Sequence, residues 1–468
     1  MTEDLQYLSI AEAGARIKAR KLSPVDLTEA FLSRIESYDG ALHTYVRAMP
    51  EAARAAAKAA EVELSAGNWR GPLHGIPFGV KDIYDVRGVP TTCQSAFYKD
   101  HSAQADAFAV ECLKSAGAII LGKQTTWEFA VGAPGFDCPW PPARNPWDLS
   151  RDPGGSSSGP GAAVAAGLCT AALGSDTGGS VRFPAAYCGV SGFKPTYGLV
   201  SARGMFPLAF SLDHAGVLAR SSADCAAIMQ VISAPDPQGD GINAPRPDFS
   251  APSRSMKGLR IGIMRNFFGG CVQTYGETAA AVEAAAVVFR DLGAEVRDVT
   301  IPPLRQFSEA GVLISRCEGY ALHEANLRKA PHLYAATSRT RLMLGSLIRA
   351  ADYINAQRHR TVLLQDMARI HETFDLLIGP TVPTVAPLLE TEDPEDARNR
   401  LMFTRVFNMT GAPVVSVCTG FGATGLPLAM QIAGRPFEDD LVLAAGAAFE
   451  TATGHHLRHP TAFTGVRS

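Results

Sequence analysis

The sequence is short of several features that would each point to a different class of protein. No apolar run reaches the roughly 18 residues of a membrane span; the longest, residues 161–174, is interrupted by Gly167. The opening stretch MTEDLQYLSI is acidic and has no basic segment followed by an apolar core, so it does not read as a secretory signal. Nine cysteines form no CxxC pair, a pattern that suits a reducing compartment better than a disulfide framework. A soluble, cytoplasmic chain is expected, with its dispersed cysteines as small buried hydrophobes rather than catalytic groups. There is no HExxH and no Cys/His spacing of a metal site, and the histidines are scattered, so neither a metal nor a cofactor is expected. The formal net charge of −3, with Lys and Arg spread along the chain, offers no footprint for nucleic acid or an anionic membrane and leaves a small molecule as the expected partner.

What is present is an ordinary globular balance, 46% hydrophobic and 19% charged residues, which gives ample material for a buried core. Ser23-Pro24-Val25-Asp26 combines a capping serine, a proline at the first helical position and an acid at the third, and Leu27, Phe31 and Ile35 follow at helical spacing. An Ala-rich helix is expected over 51–64. From Gly71 the texture changes to Gly and Pro punctuation around short β-branched runs. Further on, the patterning predicts helices at 105–115, 277–292 and 439–450. Strands are predicted at 118–121, 259–264, 295–301, 374–378, 412–417 and 428–432. Such alternation argues an α/β architecture around one mixed sheet. The Pro/Gly/Asp-rich stretch 234–252 reads as an exposed connection.

Several short motifs fail on context. GAIILGK at 117–123 nearly matches a phosphate-binding loop, but its middle reads as a buried strand and Gln124 stands where Ser or Thr is required. GFGATG at 420–425 matches a dinucleotide fingerprint, yet a strand follows it rather than a helix, so a hairpin loop is expected. Ser157 sits in a GxSxG, but LSRDP precedes it instead of the apolar strand that a nucleophile elbow needs. Ser191 and Lys194 match SxxK, where Gly192 and Pro195 argue against the helix that motif occupies.

Two glycine-serine clusters remain, GGSSSG at 154–159 and SDTGGS at 175–180. A flexible linker would not be interrupted by GAAVAAGLCTAAL, which calls for burial, so the serines are candidate nucleophiles held by unusual backbone. Lys81, in FGVKD, follows apolar residues; a desolvated lysine has a lowered pKa and can serve as a base. From the residues alone, an exposed or salt-bridged Lys81 remains the alternative.

The run GGSSSGPGAAVAAGLCTAALGSDTGGSVRFPAAYCGVSGFKPTYGLVS resembles the signature of the amidase-signature hydrolases. The similarity extends to GPLHGIPFGVKD upstream, GKQTTWEFAVG at 122–132, GPTVPTVAP near 379 and GLPLAMQIAGRPFEDD near the end. The resemblance implies a single α/β domain over 1–468, a mixed twisted sheet flanked by helices. Within it fall a helical layer at 1–70, a catalytic core at 71–233, and the rest of the core with the variable pocket region at 234–468. It implies a Ser–cis-Ser–Lys triad of Ser180 as nucleophile, Ser156 as relay and Lys81 as base. It also implies an oxyanion hole from the N–H groups of Thr177, Gly178, Gly179 and Ser180, with Asp176 and Arg182 bracing the loop. Ser158 and Pro160 depart from the Gly and Ser that many members carry there, which touches the loop wall and not the triad. Trp127, Phe129, Phe136 and Trp140 fall among the family's pocket loops, so an aryl or apolar substrate is expected. The implied activity is hydrolysis of a small amide, or of a carbamate or ester; a homodimer is left open. Two alternatives stand beside it: the amidase component of a tRNA-dependent amidotransferase, and a non-catalytic binding module with the same fold.

Overall fold

The helix Pro24–Leu42 starts where the sequence marks it. Ser23 Oγ accepts the Val25 N–H at 3.0 Å, Pro24 opens the first turn, and Leu27, Phe31 and Ile35 lie on the buried face. The Ala-rich helix Pro50–Ser65 packs against it, burying Ala53, Ala57, Ala60 and Leu64, small side chains that let the two axes approach closely. These helices belong to a computed structural model that describes residues 4–239, 246–250, 254–269, 273–391 and 394–463. The connection expected at 234–252 lies partly outside the described residues.

Among the described residues, eleven strands form one sheet. The first six are β1 (Tyr45–Ala48), β2 (Pro77–Lys81), β3 (Ile119–Gln124), β4 (Ala171–Asp176), β5 (Ser191–Lys194) and β6 (His214–Ala219). The others are β7 (Arg260–Met264), β8 (Glu295–Val299), β9 (Leu376–Pro380), β10 (Val414–Phe421) and β11 (Pro427–Gly434). Their order is β1-β3-β2-β4-β6-β5-β10-β11-β9-β7-β8. Pairing is parallel in β3-β2-β4 and again in β9-β7-β8, and antiparallel elsewhere, so the sheet is mixed. Strands β2 to β6 are buried along their whole length beneath packed helices, which explains their mostly apolar or small residues, and the charged and polar exceptions fall at strand ends: Lys81, Lys123, Gln124, Asp176, Lys194 and His214.

GAIILGK resolves as the strand β3 and not a phosphate loop, with Lys123 buried and ion-paired to Asp82 at 2.7 Å. GFGATG is the β10–β11 hairpin turn, closed by Gly422 N–H to Leu426 O at 2.9 Å. Patterning does not foresee the edge strand β1, whose residues are half-buried or exposed. Nor does it foresee the long helices Leu304–Lys329, Ala350–Thr373 and Pro394–Thr410, which pack on one another. Among the described residues, no helix is long and apolar enough to cross a membrane.

Candidate active site

Strands β2 and β4 are parallel neighbours, with Val80 opposite Leu173, so their C-terminal ends emerge at the same edge of the sheet. That register brings Lys81, the last residue of β2, beside the end of β4. Lys81 is fully buried, and its Nζ lies 2.7 Å from Ser156 Oγ and 2.8 Å from Ser175 Oγ. Burial pushes its amine down to about 7, against the opposing pull of Asp176 and Asp213. Lys123, one strand over, differs in having the Asp82 carboxylate as partner.

Ser156 follows a cis peptide bond from Gly155. Trp127 N–H donates to Ser156 O at 3.2 Å, and the indole leaves no room for a side chain at Gly155. Ser157 points into the protein: its Oγ donates to Ser175 O and accepts from Ser175 N–H, both at 3.2 Å, which removes it as an elbow nucleophile. Its N–H donates to Ser180 O at 3.1 Å, tying the two glycine-serine segments together. Lys81 and Ser156 are buried, whereas Ser180 is half-buried and so is the one of the three that faces solvent-accessible space.

The segment after β4 is shaped by Asp176. Its carboxylate accepts Gly179 N–H at 2.7 Å, Val181 N–H at 3.2 Å, Arg182 Nη2 at 2.9 Å, Arg182 Nε at 3.0 Å and Asn408 Nδ2 at 2.8 Å. Burial alone would raise its pKa, but the Arg182 guanidinium and these donors hold it well below the usual carboxylate range. Arg182 is fully buried and also reaches Thr404 O at 2.8 Å and Asn408 Oδ1 at 2.8 Å, so Asp176 and Arg182 tie the loop to the helix Pro394–Thr410. Gly179 has φ +126, and a Cβ there would lie 2.4 Å from Thr404 Oγ1, so only glycine fits. One expectation is corrected here: Gly179 N–H is committed to Asp176 and is not available to an oxyanion, which leaves Thr177, Gly178 and Ser180 from the expected set. Thr177 Oγ1 donates to Asp213 at 2.5 Å. Burial raises the Asp213 carboxyl to about 6 despite the donors Thr177, Leu208 N–H and Ala209 N–H.

The four aromatics expected around a pocket have different surroundings. Trp127 is buried against Gly155, with the Arg400 guanidinium 5.8 Å from its ring centre. Phe129 is buried in an aromatic cluster with His323 and Tyr334, ring centres 4.5 and 5.2 Å away. Phe136 is exposed, and Trp140 is half-buried with its carbonyl accepting from Gln94 Nε2 at 3.0 Å. Four contributors to the site have no role in the expectation from sequence. Ser175 sits in the second serine cluster, where Ser180 is the residue that the resemblance singles out. Asp213, Thr404 and Asn408 have no local signal, the last two lying 226 and 232 positions from their partners Gly178 and Asp176. Among the described residues, no group of three or more His, Cys, Asp or Glu is placed to hold a metal ion.

The fold is thus an α/β protein with one mixed sheet and a buried lysine held between two serine hydroxyls at the C-terminal end of a central strand. The sequence profile of the family described as Amidase matches residues 26–443, and the chain belongs to that family. It is 39% identical to an amidase of Pseudomonas putida, covering 97% of this chain and 98% of that one. It is 38% identical to a glutamyl-tRNA(Gln) amidotransferase subunit of Roseiflexus sp. (strain RS-1), with coverage of 97% and 98%. Among solved structures, that of a vestigial protein complex bearing on the origins of an s-triazine catabolic enzyme matches with a TM-score of 0.90 at 34% identity, covering 95% of this chain and 99% of that one.

Proposed function

We propose that the chain hydrolyses the C–N bond of a small amide, with Ser180 as nucleophile, Ser156 as proton relay and Lys81 as general base. The observation that carries this reading is the buried Lys81 amine, lowered to about 7 and held between two serine hydroxyls, with no ion-pair partner among the described residues. A neutral amine has one lone pair and two N–H bonds. Its lone pair accepts the Ser156 hydroxyl proton while an N–H donates to Ser175 Oγ.

Ser156, giving its proton to Lys81, takes the proton of Ser180 as Ser180 Oγ attacks the substrate carbonyl carbon. The resulting oxyanion is held by the N–H groups of Thr177, Gly178 and Ser180, each such donor contributing about 3–4 kcal/mol to lowering the barrier. On collapse the C–N bond breaks and the proton returns through Ser156 to the departing amine. Water then attacks the acyl ester, and the acid leaves as Ser180 recovers its proton. Carbamates and esters present the same carbonyl and are included in the proposed range. Trp127 beside Gly155 favours an apolar wall near the relay.

Near-equal identity to an amidase and to a tRNA-dependent amidotransferase component supports a second reading, in which the chain works with companion subunits on acylated tRNA. Assaying the purified chain alone on aryl amides, aliphatic amides and carbamates separates the two. Turnover that Ser180→Ala and Lys81→Ala each abolish is expected. Substantial turnover by Ser180→Ala contradicts the assignment, and turnover only with partner subunits and tRNA supports the second reading.

A further inference from the structure

The proposed oxyanion segment has a cation against it that the chemistry above does not use. Arg405 is 7% exposed, and its guanidinium lies along Gly178: a Cβ on Gly178 would be 2.9 Å from Nη2 and 3.3 Å from Cζ. Its aliphatic stem is clamped from behind, since a Cβ on Gly311 would lie 2.5 Å from Cδ. Among the described residues the guanidinium makes a single weak hydrogen bond, Nη1 to Ser315 Oγ at 3.4 Å, while Nε donates to nothing. Arg182, by contrast, fills its donors with Asp176, Asn408 and the Thr404 carbonyl. The Asp176 carboxylate is hydrogen-bonded by Arg182, Asn408 and two backbone N–H groups, so it favours the Arg405 charge through space and gives it no hydrogen bond.

A buried arginine without a hydrogen-bonded carboxylate is costly, and here the through-space attraction of Asp176 offsets only part of the desolvation. Burial, reinforced by the positive charge of Arg316 and opposed by Asp176, lowers the Arg405 pKa to about 10. The planar fork of a guanidinium matches a carboxylate, and a second cation beside it favours an anion more. The position is also set: Gly178 lies two residues before Ser180, so a group bound at Arg405 stands close to the reacting carbonyl.

We propose that Arg405 is a specificity-determining residue that receives a carboxylate carried by the substrate, so that the preferred substrates are short amides with an anionic end, such as monoamides of dicarboxylic acids. This rests on the hydrolase reading above. An uncharged amide leaves the guanidinium buried and unpaired, and a site built around a charged partner discriminates strongly against the analogue that lacks it. The absence of a side chain at Gly178 is what lets the guanidinium lie against the loop that carries Ser180.

The test compares malonamate with 3-methylbutanamide and succinamate with 4-methylpentanamide, pairs in which an isopropyl group replaces the carboxylate. The wild-type chain is expected to favour the anionic member of at least one pair in kcat/KM by about tenfold or more. In Arg405→Gln that ratio falls by about 10- to 100-fold, mainly through KM, the range expected for loss of a charged hydrogen-bonded pair. Arg405→Lys retains part of it. A wild-type ratio at or below one in both pairs, or a ratio unchanged in Arg405→Gln, overturns the proposal while leaving amide hydrolysis standing. Calorimetric binding of succinate and malonate to Ser180→Ala separates the two failures. If no amide is hydrolysed, the hydrolase reading falls. Dicarboxylate binding that Arg405→Gln abolishes still supports the anion site, and binding that is absent or indifferent to Arg405 overturns it.

Discussion

The indole of Trp127 occupies the space in which a side chain at Gly155 would stand: an added Cβ would lie 2.1 Å from Cε2 and 2.4 Å from Nε1. Trp127 is buried and its backbone N–H donates to the Ser156 carbonyl at 3.2 Å, so the ring is packed on all sides and its base is joined to the proposed relay. Gly155→Ala is therefore expected to cost about 1–3 kcal/mol of stability, the usual range for overpacking, and to lower kcat by well over tenfold. Chemical denaturation and kinetics check both. Trp127→Ala in the same chain makes room, and the double variant is expected to be more stable than the two single effects added together. Strict additivity contradicts the contact.

The pH profile follows from Lys81. Only its neutral form accepts a proton, and burial lowers its pKa to about 7, so kcat/KM is expected to rise with pH through an acid limb near that value. Asp213 favours the protonated amine and, with its own carboxyl at about 6, is mostly ionised at the midpoint of that limb. Asp213→Asn removes the negative charge and is expected to shift the limb to lower pH. A limb that stays in place, or moves up, contradicts the coupling.

The Asp176–Arg182 pair is wholly buried, and each partner also binds the loop or the helix behind it. Asp176→Asn leaves Arg182 charged without its counter-ion and is expected to lower stability by about 3–5 kcal/mol. It also replaces one of the two acceptor oxygens by an amide NH2, so one of the Gly179 and Val181 N–H groups loses its partner and turnover is expected to fall even below the melting range. Urea unfolding at neutral pH measures the first effect, and rates at low temperature the second.

Local signals in the chain account for much of this fold and for less of its site. Ser23 and Pro24 announce a helix because capping is local chemistry, and the alternation of apolar strand and helix from Gly71 onward indicates a mixed sheet. The long helices Leu304–Lys329 and Ala350–Thr373 start after Pro303 and Arg349, neither of them one of the usual Ser, Thr, Asp or Asn caps, and their buried positions are set by contacts with one another. Their buried positions do recur at helical spacing, as in Leu304, Phe307, Gly311, Ile314 and Glu318, but small and polar residues among them make the apolar stripe faint. At the site, burial of Lys81 is suggested by its apolar neighbours, but its meeting with Ser156, 75 positions away, follows from strand register and is legible in the sequence only through family resemblance. Asn408 at Asp176 and Arg405 at Gly178 are tertiary contacts with no local pattern behind them. The aromatics near 127–140 look like one group in the sequence, yet Phe129 serves an internal ring cluster and Phe136 stands exposed, since neighbouring positions in a loop turn to different surroundings.

The account turns on a Ser180 nucleophile activated from Lys81, and covalent labelling tests it most directly. The purified chain is treated with a sulfonyl fluoride or fluorophosphonate, and the adduct is located by peptide mass spectrometry. The expected result is a single modification on Ser180, with labelling greatly slowed in Lys81→Ala and absent in Ser180→Ala. An adduct on Ser157, or labelling as rapid without Lys81 as with it, contradicts the account.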